Sequence, residues 1–130
     1  MSGTIRWLSV SVVRAMHTEL IREHGGRPGI RDESLLQSVL ARPRNLKAYK
    51  DADVTQLAAV YAYGICRNHP FIDGNKRVAL MSAYVFLRMN GYALNATEEE
   101  AASVFLHLAE GTITEKRLSN WLRAYSSPAQ

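Results

Sequence analysis

Two long apolar segments, joined by a short polar stretch, constrain the fold of this 130-residue chain more than any other feature. Residues 57–66 are apolar on every side of a helix, and residues 78–87 are nearly so. Between them lies the stretch HPFIDGNKR, residues 69–77, called here the motif segment, in which Pro70 cannot continue a helix. A helix that is apolar all round is buried. The sequence therefore predicts two central helices that meet at a polar loop.

The start of the second central helix contains a local conflict. Asp73 or Gly74 can cap a helix that begins at Asn75. Lys76 and Arg77 then lie in its first turn, at the positive end of the helix dipole, where cations are disfavoured. An anion bound by the free N–H groups of this turn and by both side chains would resolve the conflict. A phosphate fits this description best.

Four further helices follow from apolar residues at helical spacing. Their predicted N-caps are Ser9, Asp32, Thr97 and Thr114, and Asp53 is the predicted N-cap of the first central helix. Pro43 is expected to close the second helix, which leaves residues 44–52 as a polar connector. No alternation is long enough to predict a sheet. We expect an all-α bundle of about six helices, with one domain over residues 1–126 and a frayed tail at 127–130.

The overall composition is that of a soluble globular protein, with 47% apolar residues, 22% charged residues and a net charge of +4. This charge allows nucleic-acid binding but does not indicate it. Cys66 is the only cysteine, so it has no disulfide partner in the chain, and we interpret it as a small buried apolar residue. The N-terminus has no signal-peptide pattern, and no apolar run is long enough to cross a bilayer. A cytoplasmic protein without membrane contact is expected.

Several residues of the motif segment suit phosphate chemistry. His69 can act as a general base on an attacking hydroxyl, or it can only bond a carbonyl at the helix end. Asp73 can ligate Mg²⁺ while phosphate oxygens and water complete the octahedron, and it can equally be an N-cap. Arg77 can clamp a phosphate with its planar fork, and Lys76 can act as a point charge beside it.

Three other residues have open roles. Gly74 lets the backbone approach an anion closely, or it is only a turn glycine. Asn75 can donate an amide hydrogen to a phosphate, or it can only complete the turn. His17, on the first helix, has no metal-like partner at helical spacing, so we expect a structural or solvated role.

The motif segment resembles the core motif of the Fic/Doc family, whose common form is His-Pro-Phe-x-Asp/Glu-Gly-Asn-Gly-Arg. Lys76 replaces the second glycine of this pattern, a departure typical of the Doc branch, the "death on curing" toxins. Residues 25–43 and the helix before them also resemble Doc sequences. The resemblance implies the Fic fold, with a flap at residues 44–52, often a small hairpin, over the active site.

The resemblance also implies a reaction. Fic proteins with glycine at the position of Lys76 usually transfer a nucleotidyl group to a hydroxyl. In Doc proteins the lysine blocks part of the anion pocket and the nucleotide binds reversed, so that its γ-phosphate goes to a threonine of elongation factor Tu and translation stops. By resemblance, this chain is a protein serine/threonine kinase that uses ATP and Mg²⁺. The implied roles are general base for His69, metal ligand for Asp73, and nucleotide binding for Gly74, Asn75, Lys76 and Arg77.

Two alternatives stay open at this point. One is a nucleotidyl (AMP) transferase that tolerates Lys76, and the other is a non-catalytic Fic-fold binding module, such as a DNA-linked co-regulator. Many Fic proteins inhibit themselves through a Ser/Thr-x-x-x-Glu-Gly/Asn helix, but here Leu106 precedes Glu110-Gly111 where serine or threonine is required. The resemblance then implies a separate Phd-like antitoxin, with a disordered segment that folds into a helix on the toxin. Nucleic acid would be contacted only through that antitoxin.

Overall fold

The computed structural model describes residues 4–129, and within them the chain forms six α-helices and one pair of short β-strands. The helices are α1 (Val10–His24), α2 (Glu33–Lys50), α3 (Val54–Asn68), α4 (Asn75–Met89), α5 (Glu98–Glu110) and α6 (Glu115–Ala124), and the strands are β1 (Tyr92–Leu94) and β2 (Ser126–Pro128). The predicted all-α bundle is therefore confirmed. None of the helices within this range has the length and apolar character needed to cross a bilayer.

Helices α3 and α4 form the centre of the bundle, as their apolar sequences predict. They pack against each other, while α2 and α6 pack on α3 and α1 packs on α4. Between Leu57 and Cys66, only Tyr63 is less than fully buried. Helix α2 approaches α3 closely at Gly64, where a Cβ atom would lie 2.8 Å from Cγ1 of Val39. The motif segment connects the two most buried helices of the chain, so its ends are held rigidly.

The predicted N-caps are confirmed at five helices. In each case the side-chain oxygen accepts a hydrogen bond from the backbone N–H three residues later, and this kind of cap contributes about 1 kcal/mol of stability. The five capping residues are Ser9, Asp32, Asp53, Thr97 and Thr114. Two of them, Asp53 and Thr97, form complete capping boxes. Helix α4 is the exception, and it begins inside the motif segment.

The prediction that Pro43 closes the second helix is wrong, because α2 continues to Lys50. Pro43 has no N–H to donate to the preceding turn, which costs the helix one hydrogen bond. Tertiary packing offsets this loss, since Pro43 is buried and Leu46, one turn later, packs against the core. Residues 44–50 are consequently helical, and the expected flap at 44–52 is not present.

An extended segment, residues 25–32, lies beside the motif segment instead. It contains three glycines with positive φ, and we call it the glycine segment. Ile30 and Phe71 form an isolated antiparallel bridge, and the N–H of Ile72 donates to the carbonyl of Gly29 at 3.1 Å. The glycine segment therefore forms one wall of the region around the motif.

Part of the stretch predicted as a tail from residue 127 belongs to strand β2, Ser126–Pro128. Strand β2 pairs antiparallel with β1, so that Tyr92 lies opposite Pro128, and the N–H of Ala129 donates to the carbonyl of Gly91 at 2.8 Å. Each strand has three residues, too few for an alternating pattern to reveal it in the sequence.

Candidate active site

His69 ends helix α3 in a left-handed conformation, with φ 51° and ψ 58°. Residues other than glycine rarely adopt this backbone conformation, and those that do cluster at functional sites. The guanidinium of Arg31, from the glycine segment, holds this turn: its Nε donates to the carbonyl of His69 at 2.6 Å, and its Nη2 donates to that of Asn68 at 2.8 Å. The His69 side chain is exposed to solvent, where a substrate can reach it.

Asn75 closes the motif segment from inside. Its Oδ1 accepts from the N–H of Phe71 at 3.0 Å, and its Nδ2 donates to the carbonyl of the same residue at 2.9 Å. Asn75 is only 7% exposed, and Phe71 is fully buried below the loop. Of the two roles that the sequence leaves open for this amide, the structure supports completion of the turn. An anion can therefore be bound by the backbone N–H of Asn75, at the first position of α4, and not by its side-chain amide.

The N-terminus of α4 has no side-chain cap. Gly74 occupies the N-cap position with φ 77°, a conformation that favours glycine, and it has no side chain to accept hydrogen bonds from the N–H groups of the first turn. Lys76 and Arg77 lie exposed in the first turn, and neither forms an ion pair within residues 4–129. Free N–H groups, a helix dipole and two cations thus coincide at one point, which is a suitable arrangement for binding phosphate.

The carboxylate of Asp73 is held by two backbone N–H groups. That of Gly74 donates to Oδ1 at 2.9 Å, and that of Arg27 donates to Oδ2 at 3.0 Å. The hydrogen bond from Arg27, then that from Gly74, and the positive charges of Arg27 and Arg77 hold the pKa of Asp73 below its ordinary value. The carboxylate is therefore ionised and oriented in a solvent-accessible position.

The donor set suits a metal held mainly by a substrate. Within residues 4–129 no group of three or more His, Cys, Asp or Glu residues could hold a metal ion by itself. Each oxygen of Asp73 accepts one hydrogen bond and keeps a further lone pair. Mg²⁺ is commonly bound by one or two carboxylates together with phosphate oxygens and water. A single oriented carboxylate beside a helix end suited to phosphate binding fits that mode.

His17 is buried against the motif segment, which agrees with the structural role expected from the sequence. Its Nε2 lies 2.9 Å from the carbonyl oxygen of Asp73, and because a carbonyl only accepts, this nitrogen carries the hydrogen. Its ring stacks on Phe71 with centroids 4.0 Å apart and planes 10° apart. The sequence does contain a signal for the burial of His17, because this residue lies at helical spacing from the buried Val13 and Leu20 of α1.

The structure thus brings together His69, Asp73, Gly74, Lys76 and Arg77 within one loop and helix start, where the sequence predicts them. Sequence reasoning did not assign roles to Arg31, which holds the end of α3, or to Gly26, whose neighbour Arg27 binds Asp73. Both contacts join residues about forty positions apart, so a local pattern does not reveal them.

Comparison with known proteins adds to this geometry. The sequence profile of the Fic/DOC family matches residues 7–87, more than half of the chain. Over 127 residues the chain is 32% identical to "Protein kinase doc" of Escherichia phage P1, with 97% of this chain and 100% of that protein covered. Over 74 residues it is 39% identical to "Toxin Doc" of Mycolicibacterium smegmatis, with 55% of this chain and 57% of that protein covered.

Proposed function

The chain belongs to the Fic/DOC family, and from this premise we propose that it is an ATP-dependent protein kinase and the toxin of a toxin–antitoxin pair. The observation that carries the proposal is the uncapped first turn of α4, with Lys76 and Arg77 exposed beside free N–H groups. A triphosphate is the ligand that best matches two cations and a helix N-terminus.

Each residue of the site has a role in this proposal. The N–H groups that follow Gly74, including that of Asn75, bind phosphate oxygens, and Lys76 and Arg77 neutralise their charge. Asp73 is the ligand for Mg²⁺, which when bound would neutralise phosphate charge and orient the transferred group. His69 accepts the proton of the attacking hydroxyl.

The reaction is transfer of the γ-phosphoryl group from ATP to a serine or threonine hydroxyl. The hydroxyl oxygen forms a bond to the γ-phosphorus, and the bond from this phosphorus to the bridging oxygen of ADP breaks. The hydroxyl proton passes to the imidazole of His69, and the products are a phosphoester and ADP. In this chemistry a protein contributes mainly positioning and electrostatic stabilisation, which the cations of the first turn supply.

Lys76 favours phosphoryl transfer over nucleotidyl transfer. In the Fic pattern a glycine at this position leaves room for a phosphate, whereas a lysine occupies part of that room and adds a charge. The name of the relative from Escherichia phage P1, "Protein kinase doc", supports the same choice. A threonine of elongation factor Tu is the proposed acceptor, so that modification blocks translation and arrests growth.

A toxic enzyme needs an inhibitor, and the name "Toxin Doc" of the second relative supports a toxin role here. We propose a Phd-like antitoxin with a segment that folds on binding, because the Leu106 position does not fit a self-inhibitory helix. The role requires access to the cytoplasm, where translation takes place, and it needs neither a membrane nor direct contact with nucleic acid.

Labelled ATP tests the reaction directly. The protein is incubated with Mg²⁺, elongation factor Tu and ATP labelled at either the α- or the γ-phosphate. Label from the γ position, and not from the α position, is expected on the target. Label retained from the α position would instead establish nucleotidyl transfer.

Two histidine variants separate catalysis from binding. His69→Ala is expected to abolish labelling and growth arrest, because the general base is lost. His24→Ala, at the exposed end of α1, is the matched control and is expected to label as the wild type does. Growth arrest that persists in His69→Ala would show that the protein acts as a binding module and not as an enzyme.

A further inference from the structure

A cavity in the described part of the chain lies away from the motif segment, between α2, α3 and α6. Its volume is about 620 Å³, which is within the range of small-molecule sites. It is lined on α3 by Gln56 and Val60, at the opposite end of this helix from His69. Because an α-helix rises 1.5 Å per residue, Gln56 and His69 lie about 20 Å apart along the axis.

A buried hydroxyl without a partner lies at this cavity. Ser119, on α6, is only 6% exposed, and its Oγ is the one buried side-chain polar atom among the described residues that lacks a hydrogen-bond partner. A buried polar group without a partner is costly, so nearly all such groups in proteins are paired. Ser119 also lines the cavity, so this hydroxyl lies close to any ligand bound there.

The cavity carries an excess of positive charge. Four cationic side chains line it, those of Arg42, Lys50, Lys116 and Arg123, against the single carboxylate of Glu115. The carboxylate is bound by Arg42, and Arg123 pairs with Asp53 at 2.8 Å. No ion pair within residues 4–129 involves Lys50 or Lys116, so their charge is available to a ligand.

Part of the cavity lining is apolar, and we call this part the apolar wall. It consists of Leu46 on α2, Ala52 just after α2 and Val60 on α3. A ligand that matches the whole lining has an anionic group for the two lysines and a compact apolar body for the apolar wall.

We propose that this cavity binds a small anionic molecule, one with a phosphate or carboxylate group on an apolar or aromatic body. Its anionic group contacts Lys50 and Lys116. The inference does not depend on the kinase reaction, because the cavity and the motif segment share none of their residues.

Phenyl phosphate, benzoate and inorganic phosphate are the probes. Binding is measured by calorimetry and by the rise of the thermal unfolding midpoint with ligand concentration. Phenyl phosphate or benzoate is expected to bind more tightly than inorganic phosphate, because the apolar wall contributes only to molecules with a ring. The stronger of the two identifies the anionic group that the cavity prefers.

Lys116→Gln is expected to weaken this binding about tenfold, which is typical for loss of a charged hydrogen bond. Arg117→Gln, an exposed neighbour on the same helix that does not line the cavity, is the matched control and is expected to bind normally.

A double variant, Lys76→Gln with Arg77→Gln, removes the cations of the motif segment and distinguishes the two anion sites. Binding that is unchanged in it and weakened in Lys116→Gln supports the cavity. Binding that is lost in the double variant and unchanged in Lys116→Gln would overturn the proposal, because the anion then binds only at α4. Absence of binding by all three probes in the wild-type protein would overturn it as well.

Discussion

The contact between the glycine segment and Asp73 makes a sharp prediction for Gly26→Ala. A Cβ atom at Gly26 would lie 2.9 Å from Oδ2 of Asp73, and it would also meet Cδ1 of Ile21 at 3.0 Å. Ordinary contacts between such atoms are about 3.4 Å or longer, so the carboxylate must move by about half an ångström. This carboxylate is the proposed ligand for Mg²⁺.

Gly25→Ala is a matched control for the same change. Gly25 and Gly26 both have positive φ, 81° and 115°, so alanine strains the backbone at either position by about 1–3 kcal/mol. A Cβ atom at Gly25 meets nothing within 4 Å. The two variants thus share the loss of stability, and only Gly26→Ala displaces the Asp73 carboxylate.

The comparison needs two assays. Urea unfolding is expected to give similar losses of stability for both variants, because a terminal carboxylate moves at little cost. The rate of γ-phosphate transfer is expected to fall about tenfold further in Gly26→Ala than in Gly25→Ala, since a displacement of 1 Å can cost about a hundredfold. A higher Mg²⁺ requirement should accompany this fall. Equal rates and equal Mg²⁺ requirements in the two variants would refute the reasoning.

Three further predictions concern stability and reactivity. Because hydrogen bonds from the N–H groups of Arg27 and Gly74 lower the pKa of Asp73, the stability they give is complete above the ordinary carboxyl pKa of about 4 and is lost as the pH falls through the lowered value. Asp73→Asn should therefore reduce the pH dependence of the urea midpoint in this acidic range. Burial raises the pKa of the Cys66 thiol to about 11, so a thiol reagent at neutral pH should label it only after unfolding. Thr97→Ala should lower the free energy of unfolding by about 1 kcal/mol through loss of its capping box, whereas Ser103→Ala, exposed on the same helix, should change it by less than about 0.5 kcal/mol.

Sequence reasoning succeeded where the signal is local. The two central helices were predicted from continuous apolar runs, and the caps at Asp53 and Thr97 from residues only three positions apart. The start of α4 at Asn75, after Gly74, was predicted from Pro70 and from the capping ability of Asp73 or Gly74. In each case the physical cause lies within a few residues of its effect.

Sequence reasoning failed where distant contacts decide the outcome. Pro43 is a strong local signal for the end of a helix, but burial of this residue and of Leu46 against the core carries α2 past it. The β1–β2 pair forms because residues 92–94 and 126–128 meet in space, and neither stretch has a strand signal of its own. The two hydrogen bonds of the Asn75 amide depend on the exact path of the loop, which its sequence allows but does not specify.

The central claim is that the motif segment binds the phosphates of ATP at the start of α4, and a crystal structure of the protein with Mg²⁺ and a non-hydrolysable ATP analogue tests it most directly. The account predicts phosphate oxygens within hydrogen-bond distance of the N–H groups and side chains of Lys76 and Arg77. It also predicts Mg²⁺ on the carboxylate of Asp73 and the γ-phosphate on the side of His69. A nucleotide bound elsewhere, with both cations turned into solvent, would contradict the account.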